Sequence, residues 1–281
     1  MTRQRLRRLI SGVMVAVMGL AVVAAVLPLL LILGTLVVKG AGAINLDFFI
    51  RMPAPVGESG GGVAHAIVGS LLIVGAACLL GIPIGMAAGI YCAEYPGSRL
   101  ATSTRFVADV LNGTPSIVVG VVAWTLIVAK QKHFSGFAGS AALAMLMIPM
   151  VMRTTEELIR MVPHSLREAA LALGYPRWRT SLSVVVRTTL PGIVTGVLLA
   201  TARIAGETAP LLFTALGSAF LSTDLDQPMA ALPLTVFTYA TGPYEDWHRL
   251  AWATALVLII VVLVLSLAAR LATRQRFGRR G

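Results

Sequence analysis

The chain has 281 residues, 57% of them hydrophobic and only 12% charged, and its formal net charge is +11. Its mean hydropathy is +0.85. No water-soluble globule hides that much apolar surface, and disorder, collagen and coiled coil are excluded by the same numbers, which leaves a multi-span membrane protein.

The chain opens on Arg3, Arg5, Arg7 and Arg8, followed by an apolar run from Ile10 to Val38. The basic start and Ala41-Gly42-Ala43 imitate a secretory signal, but a signal core is about 7–15 residues long and this run is longer. It is read as a retained membrane anchor. Six apolar segments follow one another at 10–38, 66–93, 114–129, 138–152, 192–216 and 250–269. About 20 residues span a bilayer. The first, second, fifth and sixth are long enough alone. The third and fourth are short, and tilt little, borrow flanking residues, or lie inside the bundle away from lipid. Cys78 and Cys92 share the second segment. Their separation on a helix is about 21 Å, too far for a disulfide, so they are read as buried, inert thiols. His65 and His248 are expected near helix ends at the interface. Two sizeable outside loops are expected, at 39–65 and 217–249.

Placing the N-terminus in the cytoplasm and alternating sides puts 17 of the 23 lysines and arginines in cytoplasmic segments and five in outside loops. Arg203 alone lies within a span. This bias is the positive-inside signature of six spans with both termini inside. It explains the basic character without nucleic acid. The chain has no phosphate loop of the G-x-x-x-x-G-K-[ST] type, so it does not itself hydrolyse ATP by that route. It has no H-E-x-x-H or Cys/His ligand spacing and no G-x-S-x-G elbow. No catalytic or metal site is expected.

The cytoplasmic segment 153–187 is too long and polar for a simple turn. Leu166, Ala169, Ala170 and Leu173 recur at helical spacing, which predicts a short amphipathic helix over Ser165–Leu173. Pro163 and Ser165 suit its start, Glu168 is placed for a capping box, and Gly174 before Tyr175-Pro176 ends it. Residues 177–183 are expected to begin the next helix. A solvated connector would share this composition.

In the fifth span Arg203 falls near the bilayer middle, and Glu207 follows at i+4, on the same face of a continuous helix. Each such charge costs on the order of 3 kcal/mol on insertion scales, and charges at this depth face a bundle interior or a water-filled path. One reading is a structural pair that pins helices. The other is an anion site. Arginine offers a planar fork that matches phosphate bidentately. Glu207 then orients the arginine, or accepts the proton-bearing oxygen that hydrogen phosphate has and sulfate lacks.

Glu168-Ala169-Ala170, three residues, then Gly174 resembles the EAA loop of ABC importer permeases. The family's following Ile-x-Leu-Pro element is absent at its usual place, where Val184-Val185-Val186-Arg187 stands, and Leu190-Pro191 comes four residues later. The stretch Ala202-Arg203-Ile204-Ala205-Gly206-Glu207-Thr208-Ala209-Pro210-Leu211-Leu212 is similar to the phosphate-specific, PstA-type branch. So is Leu111-Asn112-Gly113-Thr114-Pro115-Ser116-Ile117-Val118-Val119-Gly120, in which Thr114 suits an N-cap and Pro115 a first helical residue. The positive end of the third span would then face the cytoplasmic vestibule.

The resemblance implies an all-α fold of six transmembrane helices, the type I ABC importer permease (MetI-like) fold, in the cytoplasmic membrane. It implies three regions: a first helix and outer loop over 1–62, a transmembrane domain over 63–273 carrying the coupling loop at 153–187, and a basic tail over 274–281. It implies that Glu168, Ala169, Ala170 and Gly174 couple to a cytoplasmic ATPase and that Arg203 and Glu207 line the substrate pathway. The implied partners are a homologous second permease (PstC type), an ATPase dimer (PstB type) and an extracytoplasmic phosphate-binding protein (PstS type). ATP and Mg would be held by the ATPase, and no cofactor by this chain. The rival readings are a permease for molybdate or sulfate, a stand-alone secondary anion transporter or channel, and a membrane enzyme acting on lipid phosphates.

Overall fold

The computed structural model describes residues 3–55, 58 and 60–277. The last four residues of the basic tail, 278–281, lie outside them. In chain order the helices are α1 (Arg3–Gly40), α2 (Leu46–Ile50), α3 (Ala64–Glu94), α4 (Arg99–Gly113), α5 (Ser116–Gln131), α6 (Gly136–Arg160), α7 (His164–Ala172), α8 (Arg177–Ala205), α9 (Ala209–Thr214), α10 (Leu232–Thr241) and α11 (Glu245–Phe277). Among the described residues the only β-type pairing is two isolated bridges. Five helices (α1, α3, α6, α8 and α11) are long and apolar enough to cross a membrane, and α4 with α5 makes a sixth if the bent pair is one span.

The first expected segment is one unbroken helix. None of the most apolar stretch of α1 is buried, and its outer end leans on α11, where Lys39 sits 5.0 Å from the Trp252 ring centre. A stretch apolar on all sides and left uncovered is built to face lipid. The short fourth segment lies inside the bundle: 61% of the apolar stretch of α6 is buried, the largest share among the five long helices.

The core forms where α6 meets α3. Ile73 and Ala77 of α3 pack with Leu143, Met147 and Val151 of α6, with Ala200 and Ile204 of α8 and Leu211 of α9 closing the cluster. The contact is tight because Gly81, Gly85 and Gly89 recur at i, i+4 on one face of α3, so the backbones approach closely. A Cβ on Gly85 would lie 2.9 Å from the Ile148 carbonyl oxygen, and one on Gly89 2.6 Å from that of Met152.

Three expectations are corrected. The residues before the third span do not extend it as a straight helix. Residues Arg99–Gly113 form a separate amphipathic helix, capped by Ser98 Oγ, which accepts from the Ala101 amide at 3.0 Å, and meeting α5 at 108°. Thr114 is not the N-cap of α5: its hydroxyl donates back to Val110 O at 2.7 Å, and Pro115 holds the cap position. The outside segment 217–249 is not all loop. Ala231 precedes a helix, α10, whose Leu232, Leu234 and Tyr239 are buried against α3 and α11. The alternating Leu-Pro-Leu-Thr-Val is too short to register as a span, which hid it.

Candidate functional site

The cytoplasmic segment divides differently from the expectation. α6 continues through Arg160 and α8 starts at Arg177, so only α7 and its two turns hang free of the spans. α7 begins at His164, with Pro163 at the N-cap and no side-chain cap, so Ser165 and Glu168 form no capping box. Its end is as expected. Gly174 has φ +81°, its amide donates to Leu171 O at 2.9 Å, and the Tyr175 amide donates to Ala170 O at 3.2 Å. This pair of bonds is the Schellman closure that a left-handed glycine makes possible. Glu168 and Ala169 are exposed, and Ala170 is turned into the body of the protein. Replacing Gly174 with alanine is expected to destabilise this closure by about 1–2 kcal/mol, because an L side chain strains at that φ. Faster amide exchange over 164–172, with the spans unchanged, is the measurement that checks it.

From Arg177 the chain enters α8 through a run of wide π-type turns at Thr180–Val186. This is where the Ile-x-Leu-Pro element is missing, and the wide turns change the helical register before Leu190-Pro191. α8 then packs against α6 across a groove of about 520 Å³ lined by Met150, Thr154 and Leu158 of α6 and by Gly192, Thr195, Gly196, Leu199 and Arg203 of α8. Gly196 is required here, because a Cβ would overlap the Thr154 methyl. The walls are apolar apart from two threonines and one guanidinium. Arg203 lines the same groove about 16 Å along α8 from Gly192.

Glu207 is not where the sequence pattern puts it. α8 ends at Ala205, Gly206 follows as the C-cap, and Glu207 and Thr208 form a break before α9. The cause is Pro210. It has no amide to donate to the Gly206 carbonyl, and its ring would clash with that carbonyl in a continuous helix. Glu207 is half-buried in the break, its amide donating to Ile204 O at 3.2 Å. Among the described residues, no ion pair includes Arg203 or Glu207. Beside the break lies the N-terminal half of α5, where Gly120 is so close to Pro210 that a Cβ would sit 2.7 Å from its Cα. The two stretches singled out in the sequence, 111–120 and 202–212, thus meet in space.

The sequence pattern missed the strongest charge cluster. Glu156 is 2% exposed and accepts from Arg105 Nε at 2.6 Å, with Arg160 Nη2 at 2.8 Å and Arg153 Nη1 at 3.6 Å. Arg105 also donates to the Cys92 carbonyl at 2.7 Å and the Pro96 carbonyl at 3.1 Å, and Arg153 pairs with Asp109. The cluster binds α4 to the cytoplasmic ends of α3 and α6. Arg153-x-x-Glu156-x-x-x-Arg160 was visible as i, i+3 and i, i+4 spacing. Arg105 was not, being 51 residues from its partner.

Residues 81–276 match the family of binding-protein-dependent transport system inner membrane components. The chain is 51% identical over 243 residues to the phosphate transport system permease protein PstA of Yersinia pestis, covering 86% of this chain and 82% of that protein. It is 45% identical over 271 residues to that of Pasteurella multocida, covering 96% of each. Among solved structures it resembles the MetNI methionine ABC transporter with a TM-score of 0.64 at 17% identity, covering 76% of this chain and 95% of that one. It also resembles a bacterial alginate ABC transporter with a TM-score of 0.58 at 16% identity, covering 100% of this chain and 99% of that one. The fold is that of ABC importer permeases, and the chain belongs to the family of binding-protein-dependent transport system inner membrane components, in the branch of the phosphate transport system permease proteins PstA.

Proposed function

We propose that this chain is the membrane permease subunit of an ATP-driven importer that moves inorganic phosphate across the cytoplasmic membrane. It is a transport subunit and not an enzyme. As an inner membrane component of a binding-protein-dependent system, it works with an ATPase and a binding protein. The finer reading gives it a PstC-type second permease, a PstB-type ATPase dimer that holds ATP and Mg, and a PstS-type phosphate-binding protein. The observation that carries the substrate reading is Arg203, a guanidinium opening into the groove between α6 and α8 that, among the described residues, takes part in no ion pair. Its place in the span puts it near the bilayer middle, where an unpaired charge is expensive unless a ligand or water supplies the counter-charge. A phosphate oxyanion, matched bidentately by the arginine fork, is the ligand that fits.

In this reading the rest of the chain has mechanical roles. Glu168, Ala169, Ala170 and Gly174 place the α7 knob against the ATPase. Closure of the ATPase dimer pushes the knob, the α6 wall of the groove moves against α8, and phosphate passes along the interface with the second permease. Glu207, in a break that adjusts more readily than a helix, meets the protonated oxygen of hydrogen phosphate.

The test is labelled phosphate uptake in cells that lack their own PstA-type subunit. The wild-type chain restores uptake, and Arg203→Ala reaches the membrane at wild-type level but lowers uptake about 10- to 100-fold, the value of a lost charge-assisted hydrogen bond. Glu207→Gln keeps part of the uptake and lets sulfate compete. Molybdate or sulfate transport by the wild-type chain, or normal uptake by Arg203→Ala, would sink the reading.

A further inference from the structure

The α7 knob has little to hold it. It is nine residues long, and Ala170 is its one buried residue. A helix attached by a single methyl group would pivot on its turns. Arg167 changes this. Its Nη1 meets Glu94 Oε1 at 2.5 Å, and its Nη2 donates to the Ile159 carbonyl at 3.2 Å. Glu94 is the last residue of α3, and Ile159 lies in the last turn of α6, fully buried in a small apolar cluster with Val162 and Val185. One guanidinium therefore joins three elements. The two charged side chains are 19% and 22% exposed, so the pair is sheltered from the screening that makes surface ion pairs weak.

The two helices that Arg167 grips are also the two that pack most closely. The Gly81, Gly85 and Gly89 face of α3 lies against α6, and α6 supplies Met150, Thr154 and Leu158 to the Arg203 groove. A displacement of α7 reaches that wall only if α7 does not turn on its own. We infer that Arg167 is a positioning residue whose pair with Glu94 makes the knob one rigid body with α3 and α6, so that motion of the knob is delivered to the α6 wall of the groove and not absorbed by the turn at 161–163. This rests on the reading of α7 as the ATPase-coupling helix.

The test uses the complete importer in proteoliposomes, with both permeases, the ATPase and the binding protein. Two quantities are read: phosphate moved per ATP hydrolysed, and amide exchange over 164–172. Arg167→Glu and Glu94→Arg each lower the transport ratio about tenfold, a coupling expected of side chains in direct contact, and speed exchange across the knob. The double reversal restores both. Glu94→Gln, which keeps the size and removes the ion pair, gives the same direction where a reversed charge blocks assembly. The inference is overturned if either single reversal leaves ratio and exchange at wild-type values. It is equally overturned if the double reversal stays as low as the worse single. That second result is the one expected if Arg167 touches the ATPase and not Glu94. If the wild-type importer moves no phosphate at all, the phosphate reading falls, and the exchange rates alone decide for or against the latch.

Discussion

Replacing Glu156 with alanine is expected to destabilise the assembled permease by about 3–5 kcal/mol, the cost of removing one partner from a buried charge cluster. The size follows from what is left behind. Glu156 is 2% exposed, and three guanidinium groups converge on it from α4 and from either side along α6. Without the carboxylate, Arg153 keeps Asp109 and Arg105 keeps two backbone carbonyls. The remaining positive charge is nonetheless concentrated, and Arg105, at 19% exposure, is the most sheltered from water. Arg105 then has no carboxylate to draw it to α6, and α4 is left with the Arg153–Asp109 pair and the apolar contacts of Ala101 and Ala108. Glu156→Gln keeps the shape and one acceptor oxygen but not the charge, so its loss is smaller. Arg153→Met removes the most distant of the three arginines and is smaller again. The thermal midpoint of the purified importer in detergent checks the order Glu156→Ala, then Glu156→Gln, then Arg153→Met. Wild-type midpoints for all three would show that the cluster contributes nothing to stability.

The elements that were legible in the sequence are those set by composition along a continuous stretch. The apolar run before Val38, the long second span and the basic bias of alternate segments needed only length and charge counting. The closure of α7 was legible because a left-handed C-terminal residue nearly demands glycine, and Gly174 stands before an aromatic and a proline. What failed were inferences from spacing across a break. Glu207 follows Arg203 at i+4, and helical geometry would stack them. Pro210, three residues beyond Glu207, ends the helix in between by removing one amide and crowding the Gly206 carbonyl. The proline was in plain view, but in a membrane span prolines are commonly tolerated, as Pro28, Pro83 and Pro149 are here inside unbroken helices. What separates Pro210 from those is the Gly206 at i−4, which gives the chain an easy place to part. The Glu156 cluster was hidden for another reason. Its members come from α4 and α6, and only the folded chain brings Arg105 to Glu156. Helix α10 was hidden because ten residues are too few for a span and it follows a polar loop.

Replacing Gly89 with leucine is expected to remove most of the assembled permease from the membrane. Ordinary overpacking of a core costs about 1–3 kcal/mol because side chains can shift to make room. Here the obstacle is backbone. A Cβ on Gly89 would lie 2.6 Å from the Met152 carbonyl oxygen and 2.7 Å from Thr155 Cβ, and neither moves without moving α6. The stripe acts as a unit. Forcing α3 and α6 apart at Gly89 also separates Gly85 from Val151 and Gly81 from Met147. Because association of membrane helices rests on close van der Waals contact and not on the hydrophobic effect, a gap between backbones forfeits the contact outright. The same displacement would carry Glu156, the residue after Thr155, away from Arg105. Gly75 provides the control. It lies on the same helix, faces outward and has nothing within 4 Å of an added Cβ. Gly75→Leu is therefore expected to leave membrane levels and phosphate uptake unchanged, as a lipid-facing leucine should. Quantitative blotting of membrane fractions, with uptake measured on the same cells, separates the two. Wild-type levels for Gly89→Leu would mean that α3 and α6 are held apart by more than the structure places between them. Loss of the protein in Gly75→Leu would mean that the outward face of α3 is covered by another chain.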